Sequence, residues 1–314
     1  MMLKILKETH IRFSQYRYIG FIVSGALIVL TLVLLLIKGG PNYGIDFLGG
    51  SKIGVSFSED ISTDEIRMVL SDLGETEVKI FRIQDVSTGT TTYQIQIPPK
   101  TELVDEEAQK TFSTVMLEEF QSRYPDQAIE ITGEETVSAA FGRELQWKAI
   151  LALLIGFALV LIYIGIRIDF KFGIGTVLAV IHDVWITLGI VTLLGVRLDI
   201  TAIAAFLTIV GYSVNDSIVV SKRIQELIKT RRGAGLAENV DAGINAALSR
   251  TLVTSITTLF VAVSLAIFAG GTAIYPFAMI MTVGVIIGTY SSAFIVAPVV
   301  VEMDRIFPSR KKKR

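Results

Sequence analysis

The chain has 314 residues, 51% of them hydrophobic and 19% charged, with a formal net charge of -1 and a mean hydropathy of +0.59. That hydropathy excludes an ordinary soluble domain and reads as a polytopic α-helical membrane protein. With no cysteine and only His10 and His182, the composition also excludes disulfides, thiolate metal centres and a histidine cluster; neither metal nor cofactor is expected.

Residues 1–17 carry Lys4, Lys7, Arg12 and Arg17 ahead of a first apolar span at 18–37. The span is too long for a signal-peptide core and no small-residue cleavage site follows it, so it reads as an uncleaved anchor. Residues 38–147 are polar and have the size of an independent domain, and 39–147 hold about twenty acidic and eight basic side chains. Within them, Ser51–Ser58 alternates as a strand, and Ser62 to Glu65 opens a helix that buries Ile66, Val69, Leu70 and Leu73. Glu77–Ile83 and Thr91–Ile97 alternate again around a Ser-Thr-Gly turn. A longer helix at about 104–123 offers Phe112, Val115, Met116, Leu117 and Phe120, and 128–132 is a last strand. The order βαββαβ predicts a ferredoxin-like α+β domain.

Five more spans follow at 148–166, 172–196, 200–221, 251–271 and 276–301. The last two divide an uncharged run of about fifty residues at Gly270, Gly271 and Pro276. Residues 222–250 read as two amphipathic helices broken at Arg232–Gly235 and lying on the membrane surface. A basic tail, 302–314, closes the sequence. Basic residues crowd one set of loops: Arg167 and Lys171, then Lys222, Arg223, Lys229, Arg231, Arg232 and Arg250, then Arg310–Arg314, against Arg197 on the other side. Both termini are therefore expected in the cytoplasm and the acidic domain outside.

Asp216 stands out, because an ionised carboxylate inside a span costs about 2.5–3.5 kcal/mol and requires a partner, water or a proton. It lies about 9 Å inside the cytoplasmic boundary at 1.5 Å per residue, buried but reachable. Arg250, at the entrance of the fifth span, is its natural cation; Thr251, Thr254, Ser255 and Thr258 follow on one face, either lining a hydrated path or bonding between helices. His182 and Asp183, near mid-span, suit either a proton relay or a helix contact. Gly284 and Gly288 form a close-packing Gly-x-x-x-Gly pair. Gly44, Asp46, Gly49 and Gly50, directly after the first span, read as a hinge between domain and bundle. No phosphate-binding or dinucleotide motif is visible. An intramembrane protease using Asp183 and Asp216 is disfavoured, since the two sit at unequal depths and no Gly-x-Gly-Asp is present. A scaffold without ion chemistry would tolerate Asn at 216.

Gly44–Gly50, His182–Val184, Gly211–Val220 and Ser249–Ser255 together resemble the SecF family, the smaller half of the bacterial SecD–SecF accessory translocase within the resistance-nodulation-division (RND) superfamily. The likeness covers nearly the whole chain and implies six helices forming half of an RND-type bundle, in the bacterial cytoplasmic membrane. It implies a subunit, not an enzyme, that uses the proton or sodium gradient to help secretory polypeptides complete passage through SecYEG. SecD would be an obligate partner, with YajC, YidC, unfolded polypeptide and lipid as further contacts and no nucleic acid. By motif, Asp216 and Arg250 are implied members of the ion path, with Asn215, Thr254 and Ser255 supporting; His182 and Asp183 are weaker. The alternative is an RND-type exporter of small molecules or lipids.

Overall fold

Alternation of apolar side chains decides how the polar insert folds. The computed structural model describes residues 9–84, 91–98, 106–231, 233–270 and 272–307. Lys4, Lys7, the Ser-Thr-Gly turn, Val104, Arg232, Gly271 and the basic run Arg310–Arg314 lie outside these residues. The first span is α1 (Arg17–Lys38), followed by the single turn α2 (Ile45–Leu48). The insert then runs β1 (Gly50–Phe57), α3 (Thr63–Asp72), β2 (Lys79–Gln84), β3 (Thr91–Ile97), α4 (Glu106–Arg123) and β4 (Ile129–Val137). The sheet order is β2-β3-β1-β4, antiparallel throughout, as a ferredoxin-like domain requires.

In β1 and β3, Ile53, Val55, Phe57, Tyr93, Ile95 and Ile97 share one buried face, onto which α3 packs Ile66, Val69 and Leu70 and α4 packs Met116 and Phe120. Burial of each such side chain is worth about 1.5–3 kcal/mol. The reciprocal Ser62–Glu65 capping box sets the start of α3. Val115 is not part of this core and faces outward, 43% exposed. The opposite sheet face carries Lys52, Gln94 and Gln96.

One polar contact inside the domain core yields a measurable expectation. The Tyr93 hydroxyl accepts from the Ile61 amide at 3.1 Å and lies 2.5 Å from both Asp60 Oδ1 and the Ile61 carbonyl. Tyr93→Phe leaves that buried amide unpartnered and should cost the domain about 1–3 kcal/mol, seen as faster hydrogen exchange at Ile61 and a lower unfolding midpoint. Burial, with the Asp60 hydrogen bond second, raises the Tyr93 phenol above its ordinary pKa of 10.0. This contribution to stability is therefore complete below the ordinary value and disappears as pH rises through the raised one.

The bundle continues with α5 (Ala139–Arg167), α6 (Phe170–Leu193), α7 (Ile200–Thr230) and α8 (Leu236–Phe268). The last span combines α9 (Tyr275–Ser291), a π-helical turn at Ser292–Val296 and α10 (Ala297–Ile306). Among the described residues, six helical segments are long and apolar enough to cross a membrane. The inner helices α6, α7 and α9 are more than half buried in their most apolar stretches, whereas α1, α5 and α8 present most of theirs outward. Gly284 lets α7 approach α9: a Cβ there would stand 2.1 Å from Ile209 Cδ1. Pro298, which cannot donate a backbone hydrogen bond, follows the π turn.

Several boundaries differ from expectation. The second transmembrane helix begins at Ala139 rather than 148, because the Ser138 side chain accepts from the Phe141 amide and caps it. The last strand extends to Val137, along β1. Two separate surface helices at 222–250 are not formed: α7 runs unbroken to Thr230 and α8 starts at Leu236, so both spans continue as one helical hairpin. An unbroken helix keeps every backbone bond. The apolar face expected against lipid is used between the helices, where Ile224 packs with Val240 and Ile244. Gly243 closes that seam, and its Cβ would fall 2.9 Å from Ile224 Cα.

Candidate functional site

Two buried carboxylates organise the bundle interior, and helix periodicity decides which neighbours each one meets. Asp216 on α7 is 2% exposed. It accepts a hydrogen bond from Ser255 Oγ of α8 at 3.4 Å, and Ser255 in turn accepts from the Tyr212 hydroxyl at 2.9 Å. Thr289 Oγ1 of α9 lies 2.7 Å from the same Ser255 oxygen. Tyr212 stands one turn before Asp216, so both face α8, and a hydroxyl relay joins three helices. Such a chain can pass a proton by successive rotation of its hydroxyls.

The remaining hydroxyls of the α8 face do something else. Thr254, Thr257 and Thr258 donate to the carbonyls four residues back, Arg250, Val253 and Thr254, and Thr251 bonds to Leu248. Only Ser255 of the group turns to the carboxylate among the described residues. Arg250 is exposed and acts on Asp216 through space; the structure places no direct hydrogen bond between them. Asn215, next to Asp216 on α7, is exposed.

Asp183 on α6 is fully buried and richly partnered. Its Oδ2 accepts from Ser213 Oγ of α7 at 2.6 Å and Ser291 Oγ of α9 at 2.7 Å, while Oδ1 meets His182 Nδ1 at 2.8 Å. His182 Nε2 has no partner among the described residues, and its ring stacks on Tyr290 at 6.2 Å. Asp183 therefore ties the three inner helices at one level. The two aspartates share none of these side-chain partners, so they do not form a dyad.

At the domain end of the bundle, the residues expected to act as a hinge form a bracket. Gly49 and Gly50 take φ of 80° and 119°, a backbone turn open to glycine, where α2 ends and β1 begins. Gly44 N donates to the Leu198 carbonyl and Leu198 N to the Asn42 carbonyl, both at 2.7 Å. Asp46 Oδ2 accepts from the Ile200 amide at 3.0 Å and Asp199 Oδ1 from Ala202 at 3.0 Å, so two carboxylates cap the start of α7. Desolvation pushes the Asp199 carboxyl up and the Arg197 guanidinium down from their ordinary pKa values. Arg197 donates to Gln94 Oε1 of β3 at 3.1 Å and lies 4.1 Å over the Phe81 ring. A cavity of about 130 Å³ adjoins it, lined by Asp46, Lys52, Gln96, Asp199 and Thr201.

Reading of the sequence missed Tyr212, Ser213, Thr289 and Ser291 as partners, and Arg197 as more than a loop charge. A signal existed for two of them: Thr289, Ser291 and Ser292 cluster in an otherwise apolar span.

Comparison with known proteins accounts for this architecture. The family described as protein export membrane protein SecD/SecF, C-terminal, matches residues 117–305. Protein translocase subunit SecF of Endomicrobium trichonymphae is 36% identical over 301 residues, covering 96% of this chain and 93% of that protein. The SecF of Rhodothermus marinus is 36% identical, covering 99% and 98%. The crystal structure of Thermus thermophilus SecDF, described as a translocon-associated membrane protein, superposes with a TM-score of 0.82 at 34% identity. That match covers 97% of this chain and 40% of the SecDF chain, so the present chain spans about two fifths of the longer protein. The chain belongs to the SecD/SecF family of protein-export membrane proteins and is a multi-pass subunit of the protein translocase type.

Proposed function

We propose that this chain works as the SecF half of an ion-driven accessory translocase, using the proton or sodium motive force to help secretory polypeptides complete their passage through the SecYEG channel. The observation that carries this reading is the buried Asp216 with its Ser255, Tyr212 and Thr289 relay across α7, α8 and α9. A carboxylate enclosed in a span, linked to rotatable hydroxyls and within electrostatic reach of Arg250, has what a group needs to take up and release an ion. The α+β domain, outside the membrane in this reading, supplies the part that moves.

A SecD-like chain as partner is supported by the Thermus thermophilus SecDF, in which the region resembling this chain is part of one longer polypeptide. Arg250, exposed on α8 beside the buried relay, suits a surface covered by that other half. Its charge is costly against lipid and useful against a polar partner helix. Both termini in the cytoplasm follow from the basic loops of the sequence.

The test is release of a stalled secretory polypeptide from vesicles containing SecYEG, the SecD-like partner and this chain. Release should rise when a gradient is imposed and return to background when an ionophore collapses it. Separate collapse of the proton and sodium gradients identifies the ion. Release indifferent to both would sink the ion-driven reading.

A further inference from the structure

The α+β domain is joined to the bundle at a point where one side chain bridges two different elements. Arg197 sits in the short connection between α6 and α7 and reaches up to the sheet, donating to Gln94 on β3 and lying flat over Phe81 on β2. Gln94 is on the sheet face turned away from the core, since its neighbours Tyr93 and Ile95 are fully buried on the other side. Among the described residues this is the side-chain hydrogen bond that joins the sheet to the bundle.

Three residues after Arg197, α7 begins, and it runs without a break from Ile200 to Asp216 and beyond. The sixteen residue steps from Ile200 to Asp216 span about 24 Å at 1.5 Å each, so a tilt or shift of α7 at Asp216 arrives at the Arg197 connection as movement of a rod. The same connection is stapled to the linker after α1 through the Gly44–Leu198 and Asn42–Leu198 backbone bonds and through Asp46 on the Ile200 amide. A displacement of α7 is thereby shared with the segment that leads into β1.

We propose that Arg197 is the positioning residue that couples α7 to the α+β domain, seating the sheet on the bundle through Gln94 and Phe81 and passing the movement of α7 to it. This rests on the reading of Asp216 as the ion-binding residue. The chemistry of the seat favours a contact that can part and re-form. A guanidinium offers a planar face for the ring and an in-plane donor for the amide at the same time, which an ammonium cannot do. Its direct partners are a neutral amide and a ring rather than a carboxylate, so leaving them breaks no direct ion pair. The adjoining cavity of about 130 Å³ provides room for the side chain and the sheet to shift.

The absence of cysteine from the chain lets two introduced thiols carry spin labels without background. Asp126→Cys, exposed on the domain, and Phe268→Cys, exposed at the end of α8, report the distance between domain and bundle in the assembled complex in vesicles. With Arg197 intact the distance distribution should be narrow without a gradient and shift when one is imposed. Arg197→Ala should broaden it, remove the shift, and lower gradient-driven release about two- to thirtyfold, the range over which residues along a coupling network act. Gln94→Ala should act in the same direction without touching Arg197, and the double variant should add little to Arg197→Ala. Arg197→Lys, which keeps the charge but not the planar seat, should fall between parent and Arg197→Ala.

A distribution that stays narrow in Arg197→Ala overturns the proposal. So does a broadened distribution with release unchanged, which would make the seat merely structural. Asp216→Asn separates the two readings, since it should lose release while keeping the narrow, gradient-free distribution. Parent protein whose release ignores the gradient would overturn the ion-driven reading itself, an outcome distinct from any result of the Arg197 variants.

Discussion

Asp216→Asn is expected to abolish the gradient-dependent part of polypeptide release while leaving assembly with the SecD-like partner intact. The substitution is nearly isosteric, and an Asn carbonyl oxygen still accepts from Ser255 Oγ, so the contact between α7 and α8 persists. What disappears is the charge and the ability to bind a proton. One elementary charge moving through 100 mV carries about 2.3 kcal/mol. At about 1.4 kcal/mol per decade, that is roughly a fiftyfold bias between two conformations. Loss of the group should therefore reduce gradient-driven release to the background seen with an ionophore, a far larger effect than the loss of one hydrogen bond would produce. The measurement is release from vesicles with co-purification as the assembly control. Activity equal to the parent would make Asp216 a polar helix contact and nothing more.

Asp183→Ala is expected to damage the fold rather than the coupling. The carboxylate holds Ser213 of α7, Ser291 of α9 and its neighbour His182, all of them buried. Interhelical hydrogen bonds within membranes average only about 0.6 kcal/mol, because the membrane-embedded unfolded helices find other partners. Three bonds on that scale amount to about 2 kcal/mol. Donors stranded in the packed interior, at about 1–3 kcal/mol each, push the cost higher. The expected result is a lower thermal midpoint in detergent and reduced recovery of folded protein. Asp183→Asn should recover much of this, as its carbonyl still accepts from the two serines. A stable Asp183→Asn protein that nevertheless loses gradient-driven release would move Asp183 from helix contact into the ion path.

The contrast between the aspartates shows where reading of the chain succeeds and where it stops. Asp216 is conspicuous because a charge in an apolar run is costly anywhere, and that cost depends on composition alone. Its partners are not conspicuous. Ser255 and Thr254 are adjacent hydroxyls on α8, and a rotation of about 100° between successive residues sends one to the carboxylate and leaves the other on its own backbone. Tyr212 of α7 and Thr289 of α9 join the relay because both helices pack against α8 at Ser255. Arg250 is expected beside Asp216 because it stands at the cytoplasmic entrance of the fifth span, close in depth to the carboxylate; it lies on the exposed side of α8 and makes no hydrogen bond to it.

The sequence by itself determined the membrane class, six spans, and the βαββαβ order of the inserted domain, because hydropathy and alternation are local and energetically dominant. It also located Asp216 and the glycine-rich joint, where a single residue type violates its surroundings. Only the tertiary structure decided that α7 and α8 continue past the expected boundaries as a packed hairpin. It alone decided that Asp183 is the knot of the inner three helices and that Arg197 bridges sheet and bundle. Each of these depends on which helix faces meet, and that choice is made by close packing between segments far apart in the chain rather than by any pattern within one of them.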